Sequence, residues 1–284
     1  MTKNIVITGG TSGIGEVAAI KLAASCARII LIARDSTRAA ATLERLRHVN
    51  AKEHHVAYFA DLSNIVDMKR VAAEIAANEP VIDGLINNAG AVFMGNEKTT
   101  DSLSPTFALN HLAYFVITLT LLPNLRAAKS ARIICTASRA HRYAKMNFDD
   151  LQQNGVLGYA QSKLENLLFV HRLAQLIEDE PITINAFHPG FVATRFADNT
   201  GMLWRTLMQA RKKLFGLTIE QGASTLIHLA TSPEVATISG KYFVDCQVQQ
   251  PSADATNDEY ARKLWAISAA LTGVDFTQRQ PRAD

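Results

Sequence analysis

The chain has 284 residues, with 29 Lys and Arg against 26 Asp and Glu, a formal net charge of +3 and 48% hydrophobic residues. So small a surplus, with no aromatic-interleaved basic tract, argues against a polyanion-binding surface and recommends no nucleic-acid partner. Three widely spaced cysteines, Cys26, Cys135 and Cys246, have no zinc-ligand spacing, so no metal is expected; they suit a reducing compartment, with the cytoplasm as default. The N-terminal MTKNIVITGG enters a strand and a glycine turn without a secretory pattern, and the apolar run AYFVITLTLL (113–122) is too short to predict a transmembrane segment.

Strand-like runs occur at Ile5–Thr8, Arg28–Ala33, Val56–Phe59, Gly84–Asn87, Arg132–Thr136 and Thr183–Phe187, and GKYFVDC (240–246) supplies a seventh. Between them, periodic segments predict helices near 14–24, 36–49, 64–78, 103–122 and 160–178, then 218–230 and the tail DEYARKLWAISAAL. Pro123 is expected to end the fourth helix or to sit just past its apolar section. Strands alternating with helices of this size imply βαβ units and a mostly parallel sheet of seven strands. No composition shift marks a linker, so residues 1–284 read as a single α/β domain. Residues 190–216 hold a loop and a short amphipathic helix (202–215), read as a substrate loop or flap. Trp204, Leu207, Leu214 and Phe215 with Arg211, Lys212 and Lys213 also suit peripheral contact with a membrane surface.

TGGTSGIG (8–15) follows a strand and opens a helix, the context of a pyrophosphate cradle at a helix N-terminus in a doubly wound Rossmann fold. Gly9 makes the tight turn, Gly13 admits close backbone approach and Gly15 packs helix on sheet, with Thr11, Ser12 and Ile14 completing the cofactor turn. The second strand ends ILIARD. Arg34 is placed to grip a ribose 2′-phosphate, which favours NADP over NAD, whereas Asp35 falls in the turn and Ser12 adds no second positive charge. Asp61 and Leu62 in YFADLS are candidates to hold the adenine, although Asp61 also suits a helix cap. Asn88, Ala89 and Gly90 of NNAG (87–90) let a dinucleotide pass close to the backbone, and Asn87 is expected to lock neighbouring strand ends.

GYAQSKLENLLF (158–169) sets a lysine four places after a tyrosine, on one face of a helix. By itself the spacing is commonplace. In order and context, however, TGGTSGIG, NNAG, Asn110, Ser138, YAQSK and HPGFVAT resemble the classical short-chain dehydrogenase/reductase family over roughly residues 3–248. ADLS, HPGFVAT, YAQSKLENLLF and the ending GKYFVDC followed by KLW look like its retinol dehydrogenase-like branch.

The resemblance implies that Tyr159 is the acid in reduction and the base in oxidation. Lys163 would hold the nicotinamide ribose and lower the phenol pKa, Ser138 would bind the reacting oxygen, and Asn110 would support a water relay. Thr194 would contact the cofactor's carboxamide or pyrophosphate region, Pro189 and Gly190 would shape its loop, and Val192 would also bind the cofactor. Two features depart from the common pattern: the usual serine pair reads Ala137-Ser138, and Ser138 lies 21 residues before Tyr159, which makes 139–157 an extended loop.

The implied activity is NADP(H)-dependent interconversion of a hydrophobic aldehyde or ketone with its alcohol. Alternatives are C=C reduction, epimerisation and a non-catalytic NADP-binding regulator. Phe93, Met94, His141, Tyr143, Met146, Phe191, Phe196, Trp204 and Leu207 are expected to line an apolar substrate pocket, and His188 is assigned a structural role. A homodimer paired through helices 103–122 and 160–178 is a further expectation from the family.

Overall fold

Runs such as Ile29-Ile30-Leu31 are apolar on both faces of a strand and are fully buried, which requires helices above and below the sheet. The computed structural model describes residues 2–190 and 218–276. Its strands are β1 (Lys3–Thr8), β2 (Ala27–Ala33), β3 (Val56–Phe59), β4 (Gly84–Asn87), β5 (Ala131–Thr136), β6 (Ile182–His188), β7 (Tyr242–Val244) and β8 (Gln247–Gln249). They form one sheet in the order β3-β2-β1-β4-β5-β6-β7-β8, parallel except for the β7–β8 pair.

The sheet therefore has eight strands, not the seven expected. Asp245 and Cys246 both take positive φ, 51° and 63°, and fold the chain into a two-residue hairpin that pairs Val244 with Gln247. Two non-glycine residues in that conformation leave no glycine signal in the sequence.

The helices are α1 (Gly13–Ala24), α2 (Ser36–Val49), α3 (Ile65–Asn78), α4 (Pro105–Arg126), α5 (Gly155–Leu176), α6 (Ile219–Thr231) and α7 (Asp258–Thr272). One core joins α1, α2 and α6 to a sheet face through residues such as Leu22, Leu46 and Leu226. The other joins α3, α4, α5 and α7 to the opposite face through Val71, Phe115, Leu168 and Leu264. Strand order reverses between β1 and β4, the place where a crevice opens beyond the carboxyl ends of the strands.

Helix α4 continues through Pro123 to Arg126, so of the two expected readings the proline sits just past the apolar section and does not end the helix. The proline falls in the last turn, and tertiary bonds hold the residues beyond it. The Asn124 amide donates to the carbonyls of Ala76 and Glu79 at 2.9 and 2.8 Å, and its own carbonyl accepts from Ile82 N–H. Among the described residues, α4 is the one helix long and apolar enough to cross a membrane, yet 89% of its most apolar window is buried inside the protein. Trp265 of α7 packs on Phe115 of α4 and Phe169 of α5, over the helix pair through which a homodimer is expected.

Candidate active site

The turn after β1 is shaped by steric necessity. Gly9 and Gly13 adopt φ of 65° and 57°, in the left-handed region. A Cβ on Gly15 would lie 2.3 Å from the Gly9 carbonyl oxygen and 2.5 Å from Asn88 Nδ2. Ser12 stands at the N-cap of α1 in extended geometry, and its side chain caps no amide. The first-turn N–H groups of α1 are thus open to an anion. Thr11 and Gly13 are half-buried, Ser12 is exposed, and Ile14 is buried in the core.

Asn88 ties the ends of β1, β4 and β5, and Asn87 joins β4 to β5 through Cys135. Asn88 N–H donates to Thr8 Oγ1, its amide donates to the Thr8 and Gly9 carbonyls, and its Oδ1 accepts from Thr136 Oγ1. Asn87 donates to Thr118 Oγ1 of α4 at 2.8 Å and to Cys135 Sγ of β5 at 3.9 Å, and so links neighbouring strand ends as expected. Alternation of side chains at the end of β4 gives the two asparagines different partners.

At the end of β2, Arg34 is exposed and, among the described residues, engages in no ion pair. Asp35 caps α2 through Arg38 N–H at 3.0 Å, as its expected place in the turn requires. Asp61 accepts from Ser63 N–H and Oγ in a local turn, while Asn64 takes the helix cap that was an alternative for Asp61. Leu62 is buried in the core.

Asn110 lies in a π-helical turn, Ala108–Leu112, within α4. Its amide is locked to the backbone of Ala91, with Nδ2 donating to the carbonyl and Oδ1 accepting from N–H, each at 2.9 Å. Nδ2 also donates to Ser162 Oγ, whose hydroxyl donates to the Tyr159 carbonyl at 2.8 Å. Ser162 therefore anchors Asn110, a role beyond the helix packing its place in YAQSK suggests. A Cβ on Gly90 would lie 3.1 Å from Asn110 Oδ1 and 3.4 Å from Lys163 Nζ, so these residues converge at the end of β4.

Ser138 follows β5 and caps the short 3-10 helix Arg139–Tyr143. Beneath it, His141 Nδ1 donates to the Ser138 carbonyl at 2.6 Å, and His141 Nε2 accepts from Ser252 N–H at 3.1 Å. Those partners fix the tautomer and make His141 a buried strut, correcting the expectation that it lines a pocket. His188 accepts from Arg139 N–H, and burial lowers its pKa to about 4, in keeping with a structural role.

Tyr159 and Lys163 lie one turn apart on α5. Burial pushes the Tyr159 pKa well up, against the pull of a hydrogen bond with the Ser138 side chain, so the phenol holds its proton at neutral pH. Lys163 is 2% exposed; its Nζ donates to the Thr136 carbonyl at 3.1 Å, and burial lowers its pKa to about 8. The expected lowering of the phenol pKa by Lys163 is not seen in the protein alone. The ammonium faces the tyrosine ring, 5.6 Å from its centroid, and burial sets the direction of the phenol shift.

Pro189 and Gly190 close β6, with Gly190 at φ 79°. Phe191, Val192, Thr194, Phe196, Trp204, Leu207 and the 202–215 helix lie outside the described residues. Met94 and Tyr143 are exposed, whereas Phe93 and Met146 are half-buried. Asn154 is a further residue the sequence does not single out. Its Oδ1 accepts from Ser104 Oγ and Thr106 Oγ1, and its Nδ2 donates to the Gly95 and Glu97 carbonyls.

The profile of the short chain dehydrogenase family matches residues 3–202. Retinol dehydrogenase 14 of Mus musculus is 34% identical over 288 residues, covering 96% of this chain and 86% of its own. Retinol dehydrogenase 13 of Homo sapiens is also 34% identical, over 96% of this chain and 85% of its own. Among solved structures, an uncharacterized protein from Mycobacterium paratuberculosis superposes with a TM-score of 0.77 at 27% identity, covering 97% of this chain and 95% of its own. The chain belongs to the short-chain dehydrogenase family, on the branch that holds the retinol dehydrogenases.

Proposed function

We propose that the protein is an NADP(H)-dependent oxidoreductase that interconverts a hydrophobic aldehyde or ketone with its alcohol. The observation that carries this reading is the meeting of the Ser138 hydroxyl, the protonated Tyr159 phenol and the buried Lys163 amine beside Gly90, at the switch point of the sheet. A dinucleotide fits what is present. The open first turn of α1 suits its pyrophosphate, and the small residues of NNAG leave room for its passage. Arg34, free of ion pairing among the described residues, suits a 2′-phosphate, and the carboxylate of Asp35 is already occupied by α2. The retinol named for the relatives is a hydrophobic alcohol, which supports the substrate class.

When bound, the nicotinamide supplies or accepts the hydride. The chain's own residues manage the oxygen and its proton. Ser138 Oγ and Tyr159 Oη donate to the carbonyl oxygen, and the phenol gives up its proton as negative charge develops there. Lys163, with a pKa of about 8, is substantially cationic at neutral pH and favours the phenolate left behind. Asn110, held by Ala91 and Ser162, fixes the polar wall behind Lys163 through which water restores the proton.

Tyr159→Phe is the test. It removes the hydroxyl and keeps the ring, so NADPH affinity should persist while turnover of any accepted carbonyl falls at least ~100-fold. Single-turnover rates in folded, NADPH-saturated variant enzyme separate binding from chemistry. Near-normal chemistry there would require another proton donor.

A further inference from the structure

The ammonium of Lys163 lies between two aromatic rings. Nζ is 5.6 Å from the ring centroid of Tyr159 and 5.7 Å from that of Tyr114, both within the reach of a ring quadrupole. The rings come from different elements. Tyr159 precedes Lys163 by one turn of α5, whereas Tyr114 sits on α4, one turn after Asn110 and just beyond the π-helical segment. Tyr114 is 1% exposed and Lys163 is 2% exposed.

An ammonium carries three N–H donors and loses its hydration when buried. Among the described residues Lys163 has one hydrogen-bond acceptor, the Thr136 carbonyl, and no carboxylate partner. The titratable groups that face it are Tyr159 on α5, Tyr114 on α4 and the buried thiol of Cys135 on β5, all of them neutral at neutral pH. The negative faces of the two rings therefore add to the Thr136 carbonyl in compensating its charge. The Tyr114 hydroxyl is turned toward the Thr136 side chain, and the ring is the part of the residue that faces the amine.

We propose that Tyr114 is a positioning residue for Lys163, its ring forming the second wall of a slot that keeps the buried amine cationic and fixed beside Gly90. The inference rests on the proposed function, in which Lys163 acts as a cation toward the dinucleotide. It assigns a role to a residue outside the Tyr-x-x-x-Lys motif and explains why a π turn, which shifts the helical phase after Asn110, is followed by an aromatic residue on the face toward α5.

The pH dependence of NADPH binding to the full chain tests it, read by NADPH fluorescence from about pH 6 to about pH 10. Wild-type affinity should weaken through an alkaline limb near the Lys163 pKa of about 8, and Lys163→Met should abolish that limb. Tyr114→Leu should move the limb about one pH unit lower, because losing a cation–π partner disfavours the charged amine. Tyr114→Phe should leave it at the wild-type position, since the ring remains. Tyr114→Met fills the site without a quadrupole and replaces the leucine variant should that one fail to fold. A purely packing role would lower the melting temperature without moving the limb. An unmoved limb in a folded Leu or Met variant, or an equal shift in Tyr114→Phe, would overturn the slot. A limb that survives Lys163→Met would overturn the cationic role of Lys163 itself.

Discussion

Helices α1 and α2 begin at the same edge of the sheet, after neighbouring parallel strands, and their first turns are closed in opposite ways. At α1 the N-cap Ser12 leaves the amides uncapped, and glycines at 9, 13 and 15 keep side chains out of the way. At α2 the N-cap Asp35 takes the Arg38 N–H, and that bond holds its carboxyl below the usual range. Uncapped amides leave α1 with an electrostatic demand that a ligand's phosphate meets. A capped turn meets its own demand, and here it also occupies the carboxylate that would otherwise be offered to ribose hydroxyls. On the function proposed above, cofactor preference depends as much on what Asp35 is bonded to as on the presence of Arg34.

Substitutions at the two turns sharpen this contrast. The largest effect is expected from Gly15→Ala. Its Cβ would force the Gly9 carbonyl and Asn88 apart, costing ~1–3 kcal/mol of stability and reducing NADPH affinity at least ~100-fold by isothermal titration. Unchanged binding would show that the turn does not cradle the pyrophosphate. Next comes Arg34→Ala, which should weaken NADPH by ~10–100-fold, the worth of a charged hydrogen-bonded pair, and leave NADH nearly unaffected. The smallest effect belongs to its neighbour. Asp35→Ala should lower the melting temperature by about 2–4 °C through loss of the cap, with NADPH still preferred. A switch of cofactor preference in the Asp35 variant, with none in the Arg34 variant, would invert the assignment.

The strand Gly84–Asn87, buried at every residue and flanked by strong turn signals, can be read to the residue because burial and turn chemistry agree. Tertiary structure decides the rest. The β7–β8 hairpin is hidden because Asp245 and Cys246 reach positive φ without glycine. Helix α5 begins at Gly155, five residues before its periodic apolar pattern starts at residue 160, and its first turn passes the Gln153 carbonyl so closely that position 158 admits no side chain. In the site, Tyr159, Lys163 and Ser138 are legible as motif residues. Thr8, His141, Asn154 and Ser162 are not, since each acts by bonding to a backbone group or side chain distant in sequence or to the far side of its own helix. The sign of the phenol shift is likewise a property of enclosure, not of spacing.

The corner made by Asn154 has a consequence for the chemical ageing of the protein. Asn154-Gly155 is an asparagine–glycine pair, the sequence in which a flexible chain deamidates most readily, by attack of the glycine nitrogen on the side-chain amide. Here that nitrogen donates to the Phe93 carbonyl, and the amide uses both acceptor sites and both donors on Ser104, Thr106, Gly95 and Glu97. Neither reactant is free to approach the other while the corner is folded. Peptide mass analysis should find the one-dalton gain at Asn154 accumulating in denaturant and not in buffer. An aspartate there would face the Gly95 and Glu97 carbonyls with two acceptors, so a chain that ages while unfolded would refold against repulsion at the start of its catalytic helix.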